Sequence, residues 1–131
     1  METKHSRFII VDDDPINNFI TERVIKNISP QAEVKTFTQP EEGLDYVIST
    51  FAKADNGKAI LLLDVNMPTM TGWQFIEHLE HEGIVDKDKL LIDILSSSVD
   101  PADQERARMH PLIREFIMKP LSPEAVLHLL E

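Results

Sequence analysis

Ile60-Leu61-Leu62-Leu63 is an unbroken aliphatic run that ends in a single carboxylate, Asp64. Four apolar side chains without alternation read as a strand buried on both faces, usually in a parallel sheet. An ionised carboxylate is costly inside such an element and belongs at its carboxyl end. In open α/β sheets that end is where ligands bind. The run therefore calls for helices over both faces of a sheet and puts Asp64 at its reactive edge.

The rest of the chain repeats the pattern. Phe8–Val11 is a β-branched run that stops at Asp12-Asp13-Asp14-Pro15, where Asp14 suits an N-cap and Pro15 a first helical residue. Ile16, Phe19, Ile20 and Val24 recur at helical spacing and carry the first helix to about Ile28, before Ser29-Pro30. Glu33–Phe37 is a weaker strand suited to a sheet edge. Thr38 and Glu41 match a capping box for a second helix to about Thr50, with Leu44, Val47, Ile48 and Phe51 as its apolar face. Lys53–Lys58 reads as a polar turn into the Asp64 strand.

Gly72–Glu82 is a third helix with Trp73, Ile76 and Leu79 on one face, stopped by Gly83. Leu90–Leu95 is a fourth strand, running into Ser96-Ser97-Ser98. Asp100-Pro101 starts a fourth helix that lasts to about Met109. Glu115–Met118 is a fifth strand. Lys119-Pro120, the cap Ser122 and Pro123 then lead into a last helix with Val126, Leu129 and Leu130. Five β-α units in 131 residues imply one domain built on a parallel sheet with helices on both faces. A closed eight-stranded barrel needs roughly twice the length.

Composition removes several classes of function. The net charge is −10, from 23 acidic and 13 basic residues, which argues against nucleic acid as a direct partner, since phosphate binding needs clustered Lys/Arg, and equally disfavours an anionic membrane surface. No apolar stretch approaches the roughly 20 residues of a membrane span, and Met1–Arg7 lacks the apolar core of a secretory signal, so a cytoplasmic location is expected. With no cysteine, disulfides, thiolate metal sites and cysteine nucleophiles are excluded.

Right-handed crossovers bring all the strand ends to one edge. Asp12, Asp13 and Asp64, the hydroxyls of Ser96 and Ser97, and the Lys119 ammonium then share one pocket. Three carboxylates at close range repel one another and call for a cation. Oxygen ligands without His or Cys favour Mg2+. Taken singly, each part has a plainer reading: Asp14 as a helix cap, Ser96–Ser98 as loop residues, Lys119-Pro120 as a strand end and turn. Asp93, inside the fourth strand, suits a partly exposed position or a local ion pair.

Val11-Asp12-Asp13, Leu61–Pro68 with Gly72, Leu95-Ser96-Ser97 and Phe116–Pro120 together resemble the receiver domain of two-component response regulators, from about Arg7 to the end of the chain. The resemblance implies a flavodoxin-like (βα)5 doubly wound sheet with strand order 2-1-3-4-5. It implies that Asp64 is phosphorylated by a histidine kinase or a histidine phosphotransfer protein. Asp13 and Asp64 would ligate Mg2+ directly, Asp12 largely through water, and Asn66 through its backbone carbonyl. Ser96 and Lys119 would contact phosphoryl oxygens, and the Lys119-Pro120 bond would be cis. Phe116 matches the aromatic switch position. The signalling surface, and a surface for homodimer formation, would be the face of the fourth helix, fifth strand and fifth helix.

Such a protein is a regulator rather than a turnover enzyme. Residues 1–131 would form a receiver domain with no output domain, either stand-alone or a fragment of a longer chain, acting on a downstream protein. Three departures stand out. Phe116 lacks the hydroxyl of the commoner Tyr, Met109–Arg114 replaces a glycine-containing turn, and Thr50–Lys58 is long. The rivals are a receiver-like scaffold that signals without phosphorylation and a Mg2+-dependent phosphohydrolase of the haloacid dehalogenase type. The latter places a second aspartate two residues past its nucleophile, where this chain has Asn66, and puts the nucleophile on its first strand. A nucleotide-binding flavodoxin-like protein lacks support, because no glycine-rich loop follows the first strand.

Overall fold

In the computed structural model, which describes residues 6–51, 58–84 and 86–130, strands and helices alternate without exception. The order is β1 (Arg7–Val11), α1 (Pro15–Ile28), β2 (Glu33–Phe37), α2 (Pro40–Phe51), β3 (Ala59–Leu63), α3 (Gly72–His81), β4 (Leu90–Ser96), α4 (Pro101–Met109), β5 (Ile113–Met118) and α5 (Pro123–Leu129). All strand pairs are parallel, in the order β2-β1-β3-β4-β5. The expected flavodoxin-like arrangement is the observed one.

Each central strand divides its side chains between two cores. Ile9, Val11, Leu61 and Leu63 face one way, against Leu44 and Val47 of α2, Phe75, Ile76 and Leu79 of α3, and Ala107 of α4. Phe8, Ile10, Ile60 and Leu62 face the other way, against Ile25 of α1 and Val126 and Leu129 of α5. This is why the strands read as continuous apolar runs. Each such side chain contributes about 1.5–3 kcal/mol on burial.

Several elements differ from the sequence expectation. Of the spaced apolar residues of α1, Val24 packs on the core but three do not: Ile16, Phe19 and Ile20 are 69%, 60% and 43% exposed. The buried face holds Asn18, Thr21 and Ile25 instead. Asn18 is turned inward because its Nδ2 donates to the carbonyls of Asp12 and Phe37, at 3.0 and 3.4 Å. The Thr38–Glu41 capping box does not form, because α2 begins at Pro40 and Thr38 lies one residue too early to cap it. A capping box does form at α3, between Thr71 and Gln74. Strand β4 extends to Ser96, and β5 begins at Ile113, within the stretch read as a loop. The turn read over Lys53–Lys58 lies outside the described residues except for Lys58.

Asp93 is fully buried, not partly exposed, and it is ion-paired. Ile92 pairs with Ile113 but Asp93 with Glu115, so Arg114 is an extra residue in β5. Its guanidinium holds both Asp93 oxygens, Nε to Oδ1 at 3.1 Å and Nη2 to Oδ2 at 2.6 Å. Burial pushes the Asp93 carboxyl up, and the Arg114 hydrogen bonds and charge only partly offset this.

Gly72 sets the approach of α3 to the end of β3. Its N–H donates to Val65 O at 2.9 Å, and a Cβ there would lie 2.5 Å from the Asp64 carbonyl oxygen. That neighbour is backbone and has little room to yield.

Gly72→Ala is expected to lower stability by about 1–3 kcal/mol by overpacking, measured by urea unfolding; an unchanged midpoint would refute the contact. Arg114→Met should cost roughly 3–5 kcal/mol at neutral pH by leaving Asp93 buried and unpaired. The sign follows from the raised carboxyl: the folded protein holds that proton more tightly than the unfolded chain, so the ionised form penalises folding. The loss should be full above the folded pKa of Asp93 and shrink as pH falls through it. A loss that grows on acidification would contradict this origin.

Candidate functional site

Two strand ends deliver three carboxylates to the same edge. Asp12 follows β1 directly, held by its own N–H donating to Phe37 O at 3.0 Å. Asp64 follows β3, and its N–H donates to Val11 O at 3.0 Å, which extends the ladder one residue into the site. Asp12 and Asp64 are buried and Asp13 is exposed. One oxygen from each lies within 4.8 Å of the others. Two oxygens across an ion with bonds of about 2.0–2.1 Å stand only slightly closer than this. An all-carboxylate donor set suits a hard cation, so these three residues could hold a divalent metal.

Lys119, at the end of β5, reaches into the cluster. Its Nζ lies 2.6 Å from Asp12 Oδ2 and 3.4 Å from Asp64 Oδ2. Burial alone would lower the ammonium's pKa, but its hydrogen bond to Asp12 and the charges of Asp64 and Asp12 outweigh it and raise it. For Asp64 the balance runs the other way. Burial pushes its carboxyl up, further than the Lys119 charge and the Asn66 backbone N–H draw it down, and the Asp12 charge adds to the rise. The Lys119-Pro120 bond is cis.

Both Asp12 oxygens accept bonds from the protein. Oδ1 accepts from the Asp14 N–H at 2.9 Å, and Oδ2 accepts from Asn17 Nδ2 at 2.8 Å besides Lys119. Asp14 caps α1 through the Ile16 N–H, as the plainer reading of it has it. Asn17 and Asn18 were not singled out from the sequence. Their signal was available in two amides within one turn of the acidic run, at the start of a helix.

Ser96 is fully buried at the end of β4, where its Oγ accepts from the Ser98 N–H at 3.1 Å. Its register partner on β5 is Met118, and the Lys119 N–H donates to its carbonyl at 3.0 Å. Phe116 is half-buried, pairs with Ile94, and packs against the core shared by α2, α3 and α4. Asn66 is exposed beside Asp64. The fold thus gathers Asp12, Asp13, Asp64 and Lys119 into direct range of one another. The Ser96 hydroxyl bonds along its own loop, and Phe116 faces the core.

The family model of the response regulator receiver domain matches residues 8–131. Among solved structures, the chain is similar to a two-component response regulator from Cytophaga hutchinsonii, with 27% identity over 98% of this chain and 96% of that one and a TM-score of 0.86. It is also similar to a response regulator receiver protein from Dyadobacter fermentans, with 29% identity over 95% and 94% and a TM-score of 0.80. The chemotaxis protein CheY4 of Vibrio cholerae shares the fold at 22% identity over 97% of each chain, with a TM-score of 0.73. No curated protein sequence matches the chain. With a family match that runs from β1 to the last residue and an acidic cluster at the strand ends, this chain belongs to the response regulator receiver domain family.

Proposed function

We propose that Asp64 accepts a phosphoryl group from the phosphohistidine of a histidine kinase or a histidine phosphotransfer protein. The observation that carries this reading is the placement of the Lys119 ammonium 3.4 Å from Asp64 Oδ2, within a cluster of three carboxylates. Phosphoryl transfer is mostly positioning and charge neutralisation, and this site offers both. An Asp64 oxygen attacks phosphorus as the P–N bond breaks, and the bond's electron pair returns to the imidazole, which takes up a proton. Lys119 pairs with an oxygen of the transferred group, and water later releases phosphate and restores the carboxylate.

Asp13 and Asp64 would hold Mg2+ directly, with the Asn66 carbonyl, and Asp12 through water, since both Asp12 oxygens already accept protein bonds. When bound, the ion supplies positive charge against the phosphoryl oxygens. Ile16, Phe19 and Ile20 leave an exposed apolar surface on α1, starting two residues after its cap, where a donor protein can seat. The added charge of about −1.5 to −2 would draw the Ser96 hydroxyl toward Asp64, and Phe116 would take up the space by packing alone. The output would be a change in the α4–β5–α5 face, read by a downstream protein or a second copy of the chain. Among the described residues no helix is long and apolar enough to cross a membrane, in keeping with action in the cytoplasm.

With Mg2+ and acetyl phosphate, intact mass should rise by about 80 Da, one phosphoryl group, and the gain should be absent from Asp64→Asn. A protein that takes up no phosphoryl group at any Mg2+ concentration would be a scaffold. Steady turnover of phosphate monoesters would make it a hydrolase.

The Asp64 environment also predicts a stability difference without metal. Its folded pKa lies above the ordinary carboxylate value, so ionisation opposes folding, and stability is lost as pH rises through that pKa. Asp64→Asn should therefore unfold at higher urea than the parent at neutral pH in a chelator. The gap should close as pH falls below the carboxylate range, and added Mg2+ should stabilise the parent more. A variant less stable than the parent at neutral pH would contradict burial as the leading cause.

A further inference from the structure

Helix α4 is polar on nearly every side, and Ala107 is the only one of its residues that is buried. Apolar packing therefore gives it little hold. A chain of polar contacts supplies more. Trp73, near the start of α3, donates from Nε1 to Asp103 Oδ1 at 3.2 Å, and Ser98 Oγ donates to Asp103 Oδ2 at 2.7 Å. The Arg106 guanidinium lies over the Trp73 ring, 4.7 Å from its centroid. Ser98 Oγ also accepts from the N–H of the α4 cap Asp100, at 3.2 Å, and the Ser98 N–H donates to Ser96 Oγ at 3.1 Å.

An acidic residue in the first turn of a helix ordinarily serves its own N–H groups and dipole. The Asp103 carboxylate does something else. Both oxygens reach outside the helix, one to α3 and one to the loop after β4. This single side chain joins three segments, and the loop it fixes is the one whose N–H engages the Ser96 hydroxyl.

We propose that Asp103 is a positioning residue for the phosphoryl response: bonded to Trp73 and Ser98 at once, it latches α4 and the β4–α4 loop to α3 and keeps Ser96 Oγ in its resting place. This rests on the phosphoacceptor reading of Asp64. A Ser96 hydroxyl that turns toward a group on Asp64 either drags the Ser98 N–H with it or loses that bond. Both outcomes pull on Asp103. The latch stabilises the resting form alone, so weakening it favours the form that binds the phosphoryl group.

Beryllofluoride, a phosphoryl mimic, tests this with Mg2+ present. Trp73 is the only tryptophan and is 8% exposed, so quenching of its fluorescence by acrylamide reports the latch. Asp103→Ala should bind beryllofluoride about tenfold more tightly than the parent, the equivalent of one charge-assisted hydrogen bond. Its Trp73 should be open to acrylamide before any addition. Asp103→Asn keeps two hydrogen-bonding atoms and the side-chain shape, and should show the same effects at about threefold, which guards against misfolding of the alanine variant. Ser98→Ala should tighten binding while leaving resting Trp73 shielded, because it cuts the link on the Ser96 side only. Arg108→Ala, which breaks an exposed ion pair with Glu105 inside α4, should match the parent. Parent protein that binds beryllofluoride alongside Asp103 variants of equal or lower affinity would overturn the latch alone. A parent that binds none would overturn the phosphoacceptor reading, and the latch with it.

Discussion

The Lys119 ammonium, 2.6 Å from Asp12 and 3.4 Å from Asp64, is what allows two buried carboxylates to share one end of the sheet. Two like charges about 4 Å apart repel by roughly 4 kcal/mol at the effective dielectric of a protein near its surface. With Asp13 as a third acid the imbalance remains, and a divalent cation would remove it. The residues around the cluster are arranged to hold it in place against that repulsion. Asn17 and the Asp14 N–H donate to Asp12, and the Asn66 N–H serves Asp64.

The sheet makes this edge rigid enough to hold such a charge. Its three inner strands have both faces covered, so no strand can rotate or slip without exposing apolar surface. The ladder does not stop at the last strand residue. The N–H groups of Asp12, Asp64 and Lys119 each donate to a neighbouring strand end or loop, which fixes the backbone carrying the chemistry. Gly72 adds a steric constraint from outside, since it brings α3 against the Asp64 carbonyl at a distance no Cβ would tolerate.

The helices are held unequally. Helix α3 buries Trp73, Phe75, Ile76 and Leu79, whereas α4 buries Ala107 alone. An element with little apolar anchorage is cheap to move, and the energy difference between two of its positions falls within the reach of a few hydrogen bonds. A latch built from Asp103 is matched to that scale. On the opposite side of the site, α1 is firmly placed by Asn18, Thr21 and Ile25 yet presents Ile16, Phe19 and Ile20 outward. One helix beside the pocket is thus rigid with a greasy outer face, and another is lightly tethered and polar.

Much of this was legible in the linear chain. Unalternated runs such as Ile60–Leu63, helix-start signals such as Asp14-Pro15, Asp100-Pro101 and Ser122-Pro123, and the carboxylates at two strand ends are local properties. Local physics decides them: backbone propensity, capping and the cost of burying charge. Spacing along a helix, however, does not determine its rotation about its own axis. In α1 the Asn18 amide turns inward to the Asp12 and Phe37 carbonyls, and Ile16, Phe19 and Ile20 are left outside while Val24 packs on the core. Likewise the partner of Asp93 depends on one extra residue in β5, and the partners of Asp103 lie on α3 and in the β4–α4 loop. The sequence by itself determined the order of elements, the two-sided core and the identity of the phosphoacceptor candidate. The tertiary structure alone decided which polar groups meet, because those contacts join residues far apart in the chain and depend on how neighbouring elements rotate and slide to pack.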